Sequence, residues 1–193
     1  MTFWGIVAGG RGARFGQPKI AATHHGRSFL DHMLSCIDAA CEPNDRVAVG
    51  LAHDADGAPG DGRIVVHDRV ANPGPAHSIA RLAECASEAR DDLVFVPVDM
   101  LALTPATLRR FANRLDENRG SEREAVIVAR SGDRVHWILG AVPSALLDRI
   151  VTGAESVSAV QSLLRLCPLE YLEVDPVELL DVNTPESLPV ERR

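Results

Sequence analysis

A chain of 193 residues with 46% hydrophobic side chains can bury a core, and its formal charge of −7 argues against a broad nucleic-acid surface, which needs a clustered basic patch. Five Phe, two Trp and one Tyr leave that core to Val, Leu, Ile and Ala, and no stretch approaches the roughly 20 apolar residues of a membrane span. Cys36, Cys41, Cys85 and Cys167 form no C-x-x-C pair, so reduced thiols are expected rather than a zinc knuckle or a redox dithiol, and the short apolar start lacks a signal peptide's basic flank; the expected location is cytoplasmic.

Apolar runs alternate with amphipathic segments, the pattern of an α/β protein with a mainly parallel sheet, and one domain over residues 1–193 is expected. Residues 3–8 read as the first, central strand. Residues 20–25 read as short and extended, with Gly26 turning the chain and Ser28 capping a helix to about residue 40, whose core face is Phe29, Met33, Leu34 and Ile37. Strands are expected at 47–52 and 64–67, a helix over 76–90, and a strongly apolar strand at 93–98 that stops at Asp99. Thr104-Pro105 opens a helix to about residue 115, with a solvated, Glu-rich loop after it over 116–124. Strands at 125–129 and 135–142, helices at 143–151 and 156–166, a strand at 171–174 and a tail with Thr184 as a helix cap complete the pass.

Between the first strand and Lys19 the chain turns abruptly to Gly9, Gly10, Arg11, Gly12, Arg14 and Gly16. Glycines without Cβ let successive backbone N–H groups face an anion, and Arg11, Arg14 and Lys19 add full charges. The Walker pattern fails because Pro18 precedes Lys19, and the dinucleotide pattern fails because Phe15 stands where the third glycine belongs. What remains, Ala8-Gly9-Gly10-x-Gly12-x-Arg14-Phe15-Gly16-x-Pro18-Lys19, resembles the signature loop of the nucleotidyltransferases, most closely the molybdenum cofactor guanylyltransferases of the MobA family. Pro97-Val98-Asp99-Met100 with Thr104-Pro105 is similar to the family's Pro-x-Asp-Met-Pro segment, in which the Asp holds magnesium. Read alone, Asp99 is as readily a cap or turn former. Asp68 with Gly74-Pro75 downstream is similar to the nucleotide-binding Asp and Gly-Pro-Leu-Ala-Gly element, with Ala76-His77-Ser78 departing from the small Leu-Ala-Gly run; read alone, Asp68 could simply end a strand. Asp181-Val182-Asn183-Thr184-Pro185 is similar to Asn-x-Asn-Thr-Pro, with Asp181 replacing the first Asn as in more acidic cytidylyl relatives.

The resemblance implies a three-layer α/β/α Rossmann-like nucleotidyltransferase fold with a mainly parallel mixed sheet. It implies transfer of GMP from GTP to molybdopterin, with Mg2+ on Asp99 and Asn183 and with Lys19, Arg14 and Asp99 as catalytic groups. The nucleotide is expected against Val7, Ala8, Gly9, Gly10, Arg11, Gly12, Lys19, Asp68 and Asp99. Cytidylyl or other transfer to a different phosphorylated acceptor is the enzymatic alternative, and a nucleotide-binding module without turnover is the other. The region of residues 135–142, on the acceptor side in the family, fits least well. His136 and Trp137 there read either as groups stacking on a pterin or base or as core-rim aromatics. His24 and His25, pointing apart on an extended segment, read as a solvated turn rather than a metal site.

Overall fold

The computed structural model describes residues 1–8, 19–53, 63–69, 74–120 and 124–182. The apolar N-terminal run forms strand β1 (Thr2–Val7), buried from Phe3 onward as a strand covered on both faces must be. After a 3-10 turn (Lys19–Ala21), β2 (Thr23–His24) and β3 (Arg27–Ser28) make a hairpin. Its turn residues His25 and Gly26 take φ of 50° and 75°, the left-handed pair that a two-residue hairpin turn requires. Helix α1 (Phe29–Asp38) starts where the Ser28 hydroxyl accepts from the Asp31 N–H at 3.0 Å and donates to Asp31 Oδ2 at 2.7 Å.

Next come strands β4 (Arg46–Leu51) and β5 (Ile64–His67), helix α2 (Pro75–Ala89), strand β6 (Asp92–Pro97) and helix α3 (Pro105–Asn118). The remaining elements are β7 (Val126–Ser131), β8 (Arg134–Val142), α4 (Leu147–Gly153), α5 (Val160–Leu164) and β9 (Leu169–Glu173). One sheet has the order β5-β4-β1-β6-β8-β7-β9, all parallel except β8, which runs antiparallel to β6 and β7. β6 therefore holds the middle, and β1, expected there, lies one place away.

Successive residues of a strand face opposite sides, so the sheet divides the core in two. Trp4 and Ile6 pack with Met33 and Ile37 of α1 and Phe111 of α3, while Phe3 and Val7 pack with α2, α4 and α5. Trp4 is fully buried and its indole N–H donates to Asp45 Oδ2 at 2.9 Å, which satisfies the one polar atom of the ring. The three-layer α/β arrangement with a mixed, mostly parallel sheet is as the sequence led one to expect.

Three local expectations need correction. Helix α3 continues to Asn118, where Arg114 pairs with Glu117 one turn on and Asn118 Nδ2 donates to Glu170 Oε2 of β9 at 2.8 Å, giving charged and polar residues of the supposed loop partners on the helix and on the sheet. The helix expected over 156–166 is only Val160–Leu164, because Ser156 directs both its N–H and its hydroxyl to the Gly153 carbonyl and closes α4 with a turn. His24 and His25 do not point apart: the left-handed φ of His25 brings their ring centroids to 3.8 Å. The tail helix capped by Thr184 lies outside the described residues.

Gly140 is where β8 passes closest to its neighbours. A Cβ there would lie 2.5 Å from the Ile127 carbonyl oxygen and 2.9 Å from Phe95 Cζ, and backbone cannot yield as a flexible side chain would. Gly140→Ala is expected to destabilise the fold by about 1–3 kcal/mol, the usual cost of overpacking. Urea unfolding midpoints compared at equal m-value check this.

Candidate active site

The parallel strands β5, β4, β1 and β6 end at one edge of the sheet, and the geometry there is set by their registers. Beyond β1 the Ala8 N–H donates to Gly50 O at 3.0 Å, Val98 N–H donates to Val7 O at 3.2 Å, and Asp68 N–H donates to Leu51 O at 2.9 Å. Val7, Ala8, Asp68 and Asp99 are thus set along the carboxyl edge, where open α/β sheets bind ligands. Lys19 reaches the same edge from the far end of the glycine-rich stretch and its Nζ forms an ion pair with Asp99 Oδ2, joining residues 80 apart in sequence. The side chains of Lys19 and Asp99 are 20% and 13% exposed, so the pair is shielded yet open to a ligand.

A cleft of about 190 Å³ opens over this pair. It is lined by Lys19 with Asp99, which stands past the end of β6, and by Ser78 of α2 with Asp68, which stands past the end of β5; β4 and β1 separate the two carboxylates, and Val7, Pro97 and Ile138 supply apolar surface. The N-terminus of α2 closes one end: Gly74, at φ 81°, and Pro75 begin that helix with no side-chain cap. Asp68 is buried and its Oδ2 accepts a hydrogen bond from the Ser78 hydroxyl at 3.0 Å. Burial pushes the Asp68 carboxyl above its usual range, opposed by the Ser78 hydrogen bond and by His77, Arg81 and His53.

One acidic group here escaped the sequence reading of site residues. The Val182 N–H donates to the Asp99 carbonyl oxygen at 3.0 Å, laying the segment that carries Asp181 beside Asp99. Asp181 Oδ1 is buried without a hydrogen-bond partner among the described residues. Burial first, and then the Asp99 charge, push the Asp181 carboxyl up, while Lys19 and Arg134 pull it down. The replacement of Asn by Asp at this position was the signal available in the sequence. Among the described residues no group of three or more His, Cys, Asp or Glu side chains is placed to hold a metal ion. That includes His24, His25 and His32.

Of the residues the sequence put forward, Val7, Lys19, Asp68 and Asp99 line one cleft, and Ala8 comes directly after Val7. Gly9, Gly10, Arg11, Gly12, Arg14 and Asn183 lie outside the described residues. Between Val128 and Ala129 the β8 partner jumps from Gly140 to His136, leaving Trp137, Ile138 and Leu139 in a bulge. The bulge delivers Ile138, unnoticed in the sequence, to the cleft. Trp137 packs against the core beside α5, with the Arg165 guanidinium 5.3 Å from its ring centroid. His136 is buried, and burial, then Arg134, lowers its pKa. Both fit the core-rim reading. The four cysteines are free thiols, and burial pushes Cys36 up to about 11 and Cys41 up to about 12, which disfavours their thiolates.

The Lys19–Asp99 pair lies at the carboxyl edge of a mostly parallel α/β sheet, after a glycine-rich stretch of sequence, the arrangement that the resemblance to nucleotidyltransferases implies. A family model described as "MobA-like NTP transferase domain" matches residues 5–173, and the chain belongs to that family. A probable molybdenum cofactor guanylyltransferase of Rhodopirellula baltica is 28% identical over 95% of this chain and 88% of its own. Among solved structures, a nucleotidyl transferase from Methanothermobacter thermautotrophicus superposes with a TM-score of 0.74 at 20% identity over 97% of this chain and 94% of that one. Molybdopterin-guanine dinucleotide biosynthesis protein A from Archaeoglobus fulgidus gives 0.73 at 15% identity, over 97% and 95%. These two likenesses establish the fold. No helix among the described residues is long and apolar enough to cross a membrane.

Proposed function

We propose that this enzyme transfers GMP from GTP to the phosphate of molybdopterin in the cytoplasm, releasing pyrophosphate. The observation that carries the reading is the Lys19–Asp99 pair facing a cleft whose far side offers Asp68. The choice of GTP and molybdopterin is supported by the motif resemblance and by the similarity to the Rhodopirellula protein.

In this mechanism an oxygen of the acceptor phosphate attacks the α-phosphorus of GTP as the bond to the bridging oxygen breaks. The acceptor is already ionised at neutral pH, so no side-chain nucleophile or general base is required. Charge grows on the α-phosphoryl oxygens and on the departing pyrophosphate, and fixed donors aimed at those atoms lower the barrier. Lys19 supplies the ammonium, and the N–H groups of Gly9, Gly10 and Gly12 with the Arg11 and Arg14 side chains supply further donors. Asp68 takes a hydrogen-bond donor of the nucleoside, and Val7 and Ala8 lie against it.

The residues present fit a magnesium ion. Mg2+ binds oxygen and commonly takes only one or two carboxylates from protein, and Asp99 with the partnerless Oδ1 of Asp181 offers that set, Asn183 being a further oxygen donor nearby in sequence. When bound, the ion neutralises phosphate charge. The Asp181 carboxylate, standing where the family motif carries Asn, favours a second reading, cytidylyl transfer.

Purified protein incubated with Mg2+, one of GTP, CTP or ATP, and molybdopterin or a sugar phosphate should release pyrophosphate fastest with GTP and molybdopterin. Chelation by EDTA should abolish release and added Mg2+ restore it. Faster turnover of CTP would move the assignment to cytidylyl transfer. GTP bound with no pyrophosphate from any acceptor would leave only nucleotide binding.

A further inference from the structure

Ser78, in the first turn of α2, is 2% exposed, and its hydroxyl lies 3.0 Å from Asp68 Oδ2. We propose that Ser78 is a positioning residue for nucleotide recognition: its hydroxyl pins one oxygen of Asp68 so that the carboxylate holds a fixed orientation on the cleft wall and presents its remaining acceptor capacity to an O–H or N–H donor of the nucleoside. The inference rests on the placement of the nucleotide in this cleft and adds a residue that such a placement does not require.

Three observations support it. Ser78 is on α2 and Asp68 lies just past the end of β5, so the bond joins two elements across the cleft wall rather than two neighbours in one loop. Asp68 is held from its other side as well, with its N–H on the Leu51 carbonyl and its own carbonyl 3.0 Å from His53 Nδ1, so backbone and side chain are both fixed. Both Asp68 and Ser78 border the cleft. A serine placed only to satisfy itself on a helix would return its hydroxyl to a carbonyl one turn back. This one is directed away from its helix to a buried carboxylate, and a carboxylate accepting a hydroxyl hydrogen keeps lone pairs for ligand donors.

The arrangement carries a pH signature. The charged and titratable groups facing Asp68 are His77 and Arg81 from α2 and His53 after β4, with Lys19 and Asp99 across the cleft. Burial raises the Asp68 pKa and the Ser78 bond lowers it. The ionised carboxylate is the stronger acceptor, so binding weakens as pH falls through that pKa. Removing the Ser78 hydroxyl raises the pKa further and moves the acid limb of binding to higher pH. The histidines and arginine are unchanged in the variant, so the difference from wild type reports Asp68.

The test is calorimetric titration of wild-type, Ser78→Ala, Asp68→Asn and doubly substituted protein with GTP between pH 5 and 8, beside steady-state kinetics. Ser78→Ala is expected to weaken GTP binding roughly tenfold at pH 7, more at lower pH, and to raise KM with kcat nearly unchanged. In the Asp68→Asn background, Ser78→Ala should add nothing to the loss. Parallel titrations with 2′-deoxy-GTP and inosine triphosphate tell sugar from base: whichever analogue lacks the donor that Asp68 takes should show no further loss on Ser78→Ala. Equal affinity and equal pH dependence for wild type and Ser78→Ala, or a loss that persists in Asp68→Asn, overturns the inference while leaving the proposed function standing. Wild-type protein that binds no nucleoside triphosphate removes the proposed function, and this inference with it.

Discussion

Asp99→Asn is expected to lower pyrophosphate release at least about a hundredfold while the protein stays folded, the scale of loss when one charge-stabilising group is removed. The substitution keeps side-chain volume, removes the charge and turns one acceptor oxygen into an N–H donor. The Asp99 carbonyl, which accepts from Val182 N–H, is untouched, so the backbone that brings the 181–182 segment alongside is preserved. Three functions of the carboxylate are lost together. A neutral amide no longer draws Lys19 to the cleft by charge, no longer offers an anionic oxygen to a divalent cation, and no longer raises the Asp181 carboxyl. The measurement is kcat for pyrophosphate release with GTP affinity tracked in parallel. Asp68 lies on the opposite side of the cleft, so nucleoside recognition should persist and the loss should fall on kcat. A variant that turns over at near-normal rate would take Asp99 out of the mechanism.

Ser28 and Thr104 were legible in the sequence as helix caps because capping is a local matter: each hydroxyl accepts from an N–H three residues on, and the type and spacing of the residues suffice. Asp99 was legible because an unbroken apolar run has to be a buried strand, and the residues just past such a strand sit at the carboxyl edge. Asp181 was not identified as a site residue because its proximity to Asp99 depends on a backbone hydrogen bond between residues 83 apart in numbering, Val182 and Asp99, that no local pattern encodes. Ile138 was hidden by the bulge in β8, since an alternating pattern assumes an even register and the partner instead shifts from Gly140 to His136. The end of α3 was missed for a related reason. A stretch rich in Glu, Asp and Arg reads as solvated loop until Glu170, contributed by β9, is seen to accept from Asn118.

Lys19→Ala is the second substitution with a large expected effect, again at least about a hundredfold in turnover, and its interpretation depends on the company Lys19 keeps. Its ammonium rests on Asp99 and lowers the Asp181 carboxyl as well, so it acts on two acidic side chains at once. An ammonium has three donors, enough to remain on Asp99 while meeting a phosphate oxygen. With Lys19 gone, the two carboxylates repel each other with less relief, and a divalent cation becomes the strongest remaining means of neutralising them. Mn2+ should therefore bind Lys19→Ala no more weakly than wild type, measured by titration of the nucleotide-free protein, even as turnover collapses. This pairing of results separates loss of transition-state stabilisation from collapse of the site, which would weaken both. Lys19→Arg should recover little, because a planar, forked guanidinium does not reproduce a compact point charge. The double variant Lys19→Ala/Asp99→Asn should lose much less than the product of the single losses, since groups in direct contact that act as a unit are not additive. Fully multiplicative losses would mean that the two residues serve separate steps, and the ion pair would then be a feature of the substrate-free protein alone.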